Sequence, residues 1–460
     1  MIARFYNKET ETLSQKEIKA VQLKGVQDLI ERVYHNSPFY RSRLDQAGVR
    51  PGDIRSLEEF ADRIPFMSKK DLVEDQTENP PFGQRLPVPE SEIRQIHITS
   101  GTSGRGQEVY PLTADDRRLA AETFGYQLNP TGFEPGDISA NLWPVATMAG
   151  GLIATEALNY HGANGMILYM FDSKMKLNMM KRFNVHSFWA TPAYLTRLTV
   201  LCDEAGMLPK RDLIRLKAIL LSTEPFPVEW AQRMEEFWGA PLYDLYGSSQ
   251  FGICYAYTCD KGVIPNGKHG VYHLLDHVAL VEILDPITGE PVKYGEEGEP
   301  VITTFSRQAA PIIRFRQGDR VRLLPPDACD CGRRTNCWEN GTIARYDDMI
   351  KMKGVNVWPA AIDDVIFSRP EIDEYSGRVF IDERGMEQVK IRFEFSQKVI
   401  DASLIERIRA ALPAELHDRT GIHFDVEEVP YGTLPRFDYK SRRWTDERIT
   451  GLQQLRFVER

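Results

Sequence analysis

The sequence contains 460 residues, of which 42% are hydrophobic and 27% are charged, and its formal net charge is -9 at pH 7. This length predicts two or three domains, and the negative charge argues against a general nucleic-acid binder. Apolar runs stay well short of the ~20 residues that a membrane span needs, and residues 1–8 lack the apolar core of an export signal. Six cysteines do not suggest a disulfide scaffold in a chain of this length. We therefore expect a cytoplasmic protein with reduced thiols and no membrane partner.

About the first 75 residues are predicted to be helical. Ser14 and Glu17 have the spacing of a capping box, and apolar residues then recur at helical spacing. From 95 to 245, short apolar runs alternate with helical stretches, which predicts βαβ units and a mainly parallel sheet. Between two of these runs, residues 192–205 are expected to form a helix that Thr191 caps.

The pattern changes in the second half of the chain. Residues 271–324 are β-rich, with hairpin signals at 286–289 and 294–298. After residue 345 the pattern restarts as a small α+β domain of about 110 residues, so we place two domains at 1–345 and 346–460. The expected elements of the small domain are strands at 348–353, 377–381 and 389–395 and helices at 360–368 and 400–412.

A turn rich in hydroxyl groups and glycine follows an apolar strand at 97–107, His-Ile-Thr-Ser-Gly-Thr-Ser-Gly-Arg-Gly-Gln. Glycines permit positive φ and let backbone N–H groups converge, and hydroxyls add donors, so such a turn can wrap a polyphosphate. It is not a Walker A loop, because the Gly-Lys-Ser/Thr ending is missing. On composition alone, an ordinary surface loop is the alternative.

Further motifs follow this loop along the chain, and together with it they resemble the adenylate-forming superfamily. That superfamily includes acyl-CoA synthetases, firefly luciferase and nonribosomal peptide adenylation domains. The resemblance spans nearly the whole chain and is closest to the phenylacetate–CoA ligase branch, which also shares the segments 36–40, 64–72, 311–316 and 354–359. The motifs that carry it are Leu-Ser-Thr-Glu-Pro (221–225), Asp-Leu-Tyr-Gly-Ser-Ser-Gln (244–250), Arg-Gln-Gly-Asp-Arg (316–320), Arg-Tyr-Asp-Asp-Met-Ile-Lys-Met-Lys-Gly (345–354) and Gly-Thr-Leu-Pro-Arg-Phe-Asp-Tyr-Lys (432–440).

The resemblance implies an α/β fold. A large N-terminal domain would contain βαβ-type subdomains and a distorted β-barrel part, and a small α+β C-terminal domain would act as a mobile lid. The implied reaction joins a carboxylic acid to ATP, giving an acyl-adenylate and pyrophosphate, and then transfers the acyl group to coenzyme A with release of AMP. The implied partners are therefore a small carboxylic acid, ATP, Mg²⁺ and coenzyme A, and a homodimer is common in the family.

Individual residues take roles from the same resemblance. Lys440 would bridge the acyl carboxylate and the α-phosphate, where a cation offsets the repulsion between two anions. Gln250 stands where related enzymes usually have a Glu that helps to bind Mg²⁺, and Glu224 could compensate for the missing charge. The expected ATP and AMP contacts are Thr99, Ser100, Gly101, Thr102, Ser103, Gly104, Ser222, Glu224, Pro225, Asp244, Tyr246, Gly247, Ser248, Asp319 and Arg345.

Within that set, Asp319 would accept hydrogen bonds from both ribose hydroxyls. Tyr246 would lie against the adenine, or could equally be a core aromatic. Asp347 would be the hinge of the lid, and Lys353 and Gly354 belong to the loop that replaces Lys440 for thioester formation.

The residues expected to surround the acid belong to segments that are aromatic and sulfur-containing with few charges, which favours a compact aromatic or small branched acid over a long fatty acid. Each of them could instead belong to the ordinary core. They are Trp143, Pro144, Ala146, Thr147, Gly150, Tyr169, Phe171 and Ser249.

Closely spaced cysteines, with a histidine-rich stretch before them, resemble a zinc-bearing variant of the phenylacetate–CoA ligase-like group. Three thiolates and one imidazole suit a tetrahedral structural zinc ion, and buried reduced cysteines are the alternative. The expected ligands are Cys259, His273, Cys329 and Cys331, with Cys337 and Cys254 in reserve.

Two other functions share these motifs. The acyl group could pass to the phosphopantetheine of a carrier protein instead of to free coenzyme A. Alternatively, because Gln250 replaces the usual Glu, the chain could be a relative that binds nucleotide and acid without turnover. A zinc-dependent hydrolase is disfavoured, because the Cys/His set has no open-site pattern.

Overall fold

The computed structural model describes residues 5–99, 107–145, 149–346, 350–353, 355–382, 386–399, 401–437 and 443–448. The large part up to residue 346 contains one extended sheet, and the small part from residue 350 contains a four-stranded sheet. Within the described ranges, no helix combines the length and the apolar character required to cross a membrane.

The helices and strands are numbered in chain order. The α-helices α1 to α14 are Lys8–Glu11, Gln15–Asn36, Pro38–Gln46, Leu57–Arg63, Lys69–Glu78, Ala114–Thr123, Gly125–Leu128, Ala149–Tyr160, Ser173–Phe183, Pro192–Glu204, Pro209–Asp212, Val228–Trp238, Pro359–Phe367 and Ala402–Thr420. The strands β1 to β21 are Gln95–Ile98, Val109–Leu112, Ile138–Asn141, Asn164–Ile167, Ser187–Trp189, Ala218–Ser222, Leu242–Ser248, Ile253–Thr258, Val271–Leu274, Leu280–Leu284, Glu297–Thr303, Phe315–Arg316, Asp319–Leu324, Cys337–Glu339, Ala344–Arg345, Ile350–Met352, Val355–Val357, Ile372–Ile381, Glu387–Phe395, Asp425–Glu428 and Trp444–Asp446.

Capping chemistry explains where two of the predicted helices begin. Helix α2 starts after Ser14, and both halves of the expected capping box with Glu17 are present. Helix α10 starts after Thr191, whose side chain accepts a hydrogen bond from the backbone N–H of Tyr194. Proline at the first position of α10 lacks the N–H that would have no partner there.

The parallel half of the large sheet has the order β7-β6-β5-β3-β4, and each neighbouring pair is parallel. Strands β5 and β6 are buried along their whole length, which explains their continuous apolar runs. Helices α9, α10 and α12 contribute to one core against these strands, and α2 and α3 contribute to a second core. Strand β4 is the exposed edge, and the parallel sheet predicted for this region is confirmed.

The antiparallel half continues the same sheet through β8, β9, β14, β13, β11 and β10. Short strands β12 and β15 pair with β11 and β13. In the described residues the strand order runs from β10 to β4, so the β-rich region is continuous with the parallel sheet. Both halves therefore share one hydrogen-bonded frame.

The small part has the strand order β20-β19-β18-β21, and α13 and α14 contribute to its separate core. Strands β18 and β19 are longer than the predicted 377–381 and 389–395, and α14 ends at Thr420 and not near residue 412. Polar residues such as Glu374 interrupt the apolar alternation at the start of β18, which hid its true length.

Described residues of the two parts meet in at least three contacts. The Nη2 atom of Arg233 in α12 donates to the carbonyl of Phe367 at 2.5 Å. Lys398 forms an ion pair with Asp203, and the Arg320 guanidinium lies 4.9 Å from the centre of the Trp358 ring. These contacts are polar, which is common between domains of one chain.

Candidate functional site

The base of the Ser/Thr/Gly turn lies between β1 and β2. Thr99 and Glu108 pair across it, since the Thr99 N–H donates to the Glu108 carbonyl at 3.0 Å and the Glu108 N–H donates to the Thr99 hydroxyl at 2.9 Å. Ser100, Gly101, Thr102, Ser103 and Gly104 lie outside the described residues.

Gln250, which follows β7, lies against this base. Its Nε2 atom is 3.2 Å from each carboxylate oxygen of Glu108. Glu108 is 1% exposed, forms an ion pair with Lys69 at 3.3 Å and accepts a hydrogen bond from the Tyr110 hydroxyl at 2.8 Å. No sequence motif marks Glu108 or Lys69 as a site residue.

A second cluster forms where β7 meets β13. The hydroxyl of Tyr246 donates to one carboxylate oxygen of Asp319, and the Arg345 Nη1 atom is 3.2 Å from the other. Arg345 reaches Asp319 because β15 pairs with β13 at this residue. The Tyr246 ring packs edge-on against Tyr255 and Trp338, with centroids 5.1 and 5.5 Å away. Tyr246 is therefore a core aromatic that also contacts Asp319, the residue predicted to bind the ribose hydroxyls.

Asp244 lies beneath this cluster and is 1% exposed. The Tyr272 hydroxyl donates to it at 2.5 Å, and the Asn340 amide donates to it at 3.3 Å. Burial raises the pKa of Asp244 to about 7, because the charged form loses its hydration. The structure thus gives Asp244 a place in the support of β7, with no exposed face toward a ligand.

The segment after β6 reaches the same end of the sheet, since Ser222 is in register with Leu245. Thr223 has φ of +85°, a strained conformation for a β-branched residue and one that concentrates at functional sites. Glu224, just before Pro225, accepts a hydrogen bond from the N–H of Ala193 in the first turn of α10 at 2.9 Å. Glu108, and not Glu224, is the carboxylate in contact with Gln250.

Gly247 and Ser248 end β7, and Ser249 follows them, half-buried, next to Gln250. They lie at the carboxyl end of a parallel sheet, where open α/β sheets bind ligands.

The residues predicted to surround the acid divide into two groups. Trp143 and Pro144 are buried after β3, and the Trp143 ring lies 5.9 Å from that of Trp189. Tyr169 and Phe171 follow β4, which lies four strand positions from β7 in the sheet. At the usual strand spacing, the ends of β4 and β7 are therefore about 19 Å apart. Phe171 is 42% exposed, Gly150 is exposed, and Ala146 and Thr147 lie outside the described residues. The structure does not bring the β4 group next to Ser249.

The residues predicted for the lid are only partly described. Lys353 has φ of +48° in the turn between β16 and β17, and its ammonium group donates to the carbonyl of His423 at 3.0 Å. Asp347, Gly354 and Lys440 lie outside the described residues.

The four predicted metal ligands converge in the antiparallel half of the sheet. Ligand atoms of Cys259, His273, Cys329 and Cys331 all lie within 4.8 Å of one another. The Cys259 and Cys329 sulfurs are 3.7 Å apart, and the Cys331 sulfur is 3.4 Å from His273 Nε2. Tetrahedral zinc with ordinary bond lengths requires about 3.8 Å between sulfurs and about 3.6 Å between sulfur and nitrogen. The donor set therefore fits zinc in both chemistry and spacing.

The reserve cysteines make other contacts. The Cys254 thiol is 3.5 Å from the Ala256 carbonyl, and the Cys337 thiol is 3.2 Å from the Pro325 carbonyl. Hydrogen bonds from the Cys259 and Cys329 thiols lower the pKa of Cys331, whereas burial raises the pKa of Cys254 and Cys337.

The sequence matches two protein-family models. The AMP-binding enzyme model matches residues 30–305, and the AMP-binding enzyme C-terminal domain model matches residues 354–448. The chain belongs to the AMP-binding enzyme family.

Named relatives in this AMP-binding enzyme family cover nearly the whole chain. A phenylacetate-coenzyme A ligase of Thermus thermophilus is 30% identical over 96% of this chain and 99% of its own length. A phenylacetate-coenzyme A ligase of Escherichia coli is 27% identical over 95% of this chain and 97% of its own.

Solved structures of a 2-hydroxyisobutyryl-CoA ligase are similar to this chain over both of its parts. In the postadenylation state, with 2-HIB-AMP, that ligase matches with a TM-score of 0.88, at 26% identity and over 99% of this chain and 96% of its own. In the thioesterification state, with 2-HIB-AMP and CoA, the same coverage gives a TM-score of 0.70. At equal identity and coverage, the chain is thus more similar to the postadenylation structure of that ligase than to its thioesterification structure.

Proposed function

We propose that the protein is an AMP-forming acid–CoA ligase whose substrate is an aromatic or small branched carboxylic acid. The acid oxygen attacks the α-phosphorus of ATP and pyrophosphate leaves, giving the acyl-adenylate. The thiolate of coenzyme A then attacks the acyl carbon and AMP leaves. The match of the whole chain, in one arrangement, to a ligase holding an acyl-adenylate is the observation that carries this proposal.

The cluster of Tyr246, Asp319 and Arg345 supports a role in holding the nucleotide. Asp319 is buried at the foot of the predicted site, and two donors fix its carboxylate. A fixed carboxylate suits two ribose hydroxyls, since each hydroxyl can donate one hydrogen bond. The turn that Thr99 and Glu108 close would hold the phosphates through backbone N–H groups and hydroxyls.

Lys440, in the C-terminal domain, would supply the positive charge at the reacting centre. Its ammonium group would offset the repulsion between the acid carboxylate and the α-phosphate. Rotation of the small part about Asp347 would then exchange Lys440 for the loop at Lys353 and Gly354. Mg²⁺, when bound with ATP, would neutralise phosphate charge. The Gln250 amide oxygen could be one of its ligands, because the amide nitrogen faces Glu108.

Two names among the relatives bear on the acid. One group is named for phenylacetate and the other for 2-hydroxyisobutyrate, a compact aromatic and a small branched acid. Trp143 and Pro144 are buried after β3, and their apolar side chains would suit an acid of this kind. Homodimerisation, free coenzyme A as the acceptor and a cytoplasmic location are parts of the same proposal.

We infer zinc for the Cys259, His273, Cys329 and Cys331 cluster, with a structural role. Four protein ligands close a tetrahedral site, so no position is left for a substrate. Metal analysis of Cys331→Ser, with Cys337→Ser as the matched control, tests this assignment. One zinc per chain should be lost only in Cys331→Ser, and equal zinc in both variants, or none in the wild type, would refute it.

The proposed activity is tested by ATP- and CoA-dependent AMP release over a panel of aromatic and short-chain acids. Lys440→Ala should lower pyrophosphate exchange at least 100-fold while ATP still binds. Lys390→Ala is the matched control, because Lys390 lies in the same part and pairs with Glu427 at 2.8 Å. Release with holo-carrier protein but not with coenzyme A would favour the carrier alternative. Bound ATP without exchange for any acid would favour the non-catalytic one.

A further inference from the structure

Gln250 and Glu108 form a pair in which the positions of amide and carboxylate are fixed by their surroundings. The carboxylate of Glu108 is buried and also contacts Lys69 and the Tyr110 hydroxyl. The backbone carbonyl of Gln250 accepts a hydrogen bond from buried Arg307 at 2.8 Å. The main chain of Gln250 is thereby held, and the amide plane is set mainly by Glu108.

A carboxylate only accepts hydrogen bonds, so the amide must turn its NH₂ group toward Glu108. The amide oxygen Oε1 then points the other way, and no residue in the described ranges donates to it. A flipped amide would place its oxygen about 3 Å from two carboxylate oxygens, which is repulsive in a buried site. Glu108 therefore selects one of the two amide orientations.

The same contact explains why an amide, and not a carboxylate, stands at position 250. A Glu in this place would bring two carboxylates to within about 3.2 Å of each other beside Lys69, and like charges at that distance cannot both ionise easily. In this chain the carboxylate of the pair stands at position 108, at the base of the predicted phosphate turn.

We propose that Glu108 is a positioning residue that aims the Gln250 amide oxygen at the divalent cation bound to the ATP phosphates. This inference rests on the proposed function, because it assumes that the turn above Thr99 binds ATP. Glu108 acts through Gln250 and through the Thr99 backbone, and it does not itself touch the substrate. A neutral amide binds a cation more weakly than a carboxylate does, so its orientation becomes decisive.

The test compares Glu108→Gln, Gln250→Glu and the exchange variant Glu108→Gln/Gln250→Glu. Binding of ATP is measured by calorimetry with Mn²⁺, with Mg²⁺ and without metal, so the readout does not require turnover. In Glu108→Gln the amide can flip, so the affinity for metal–ATP should fall about tenfold while the affinity for metal-free ATP stays the same. Gln250→Glu should lower the melting temperature through charge repulsion, and the exchange variant should recover both stability and metal–ATP affinity.

Tyr110→Phe is the matched control, because it removes a different hydrogen bond from the same carboxylate. It should lower stability without changing the metal dependence of ATP binding. The inference is overturned if Glu108→Gln behaves like Tyr110→Phe, or if the exchange variant binds metal–ATP no better than the single variants. Wild-type protein that binds metal–ATP as expected but releases no AMP with any acid would refute the proposed function and leave the role of Glu108 supported.

Discussion

The buried ion pair between Glu11 and Arg333 joins the N-terminal segment to the loop that carries the cysteines. Both side chains are at most 1% exposed, and the Arg333 Nε atom is 2.5 Å from Glu11 Oε2. The Tyr257 hydroxyl also donates to Glu11 at 2.8 Å, and Arg333 pairs with Asp260 at 3.2 Å. Glu11→Gln would leave the guanidinium buried with only part of its compensation.

Removing one partner of a buried pair costs about 3–5 kcal/mol, because the remaining charge is desolvated without a counter-charge. The large part has about 340 residues, so its unfolding entropy near the melting temperature is about 0.7 kcal/mol per kelvin. Glu11→Gln should therefore lower the melting temperature by about 4–7 °C, and Arg333→Gln should do the same. The double variant leaves no net charge in the core, so its loss should be smaller than the sum by about 2–3 kcal/mol.

Differential scanning calorimetry on protein with equal metal content measures these shifts. Glu9→Gln is the matched control, because Glu9 lies on the same short helix but is exposed, and it should change the melting temperature by less than about 1 °C. Additive losses in the double variant, or a shift below that of the control for either single variant, would show that the pair is not a coupled unit.

Three further predictions concern the site and the lid. Tyr246→Phe removes a hydrogen bond to the Asp319 carboxylate, so the dissociation constant of ATP should rise about tenfold in calorimetry; an unchanged constant would contradict the proposed ribose ligand. Burial raises the pKa of Asp244 to about 7, so its protonated form stabilises the fold fully below about pH 4, and this contribution is lost as pH rises to about 7. The asparagine of Asp244→Asn does not titrate, so the stability of this variant relative to the wild type should rise by a few kcal/mol between pH 4.5 and 8. A difference in melting temperature that stays constant with pH would contradict this. Arg233→Ala removes the hydrogen bond to the Phe367 carbonyl, so pyrophosphate exchange should fall up to tenfold while thioester formation from added acyl-adenylate is unaffected; equal losses, or exposed Arg211→Ala having the same effect, would count against it.

Local chemistry accounts for what could be predicted from the sequence. The caps at Ser14 and Thr191 act within three residues, so their helices begin where expected. The parallel sheet followed from alternating apolar runs, and the convergence of Cys259 and His273 with the Cys329–Cys331 pair followed from residue type together with the resemblance to a zinc-bearing variant of the family.

Contacts between distant segments leave no periodic signal in the sequence. Glu108 and Gln250 are 142 residues apart, and Glu11 and Arg333 are 322 residues apart. The amide at position 250 was a signal that a carboxylate had to be sought elsewhere, but Glu224 was the candidate, and its side chain accepts the N–H at the start of α10. Likewise, the order of strands in the sheet, which separates Tyr169 and Phe171 from Ser249, depends on pairings that only the structure shows.

The polar contacts at the interface between the two parts have a consequence for protein engineering. If the parts reorient in every cycle, as proposed, the hydrogen bond from Arg233 to Phe367 and the ion pair of Lys398 with Asp203 are broken and remade at each turnover. Substitutions that strengthen this interface would raise thermal stability and would also slow the reorientation of the small part after adenylation. A screen for thermostable variants would therefore enrich for variants with low turnover unless it also selected for thioester production.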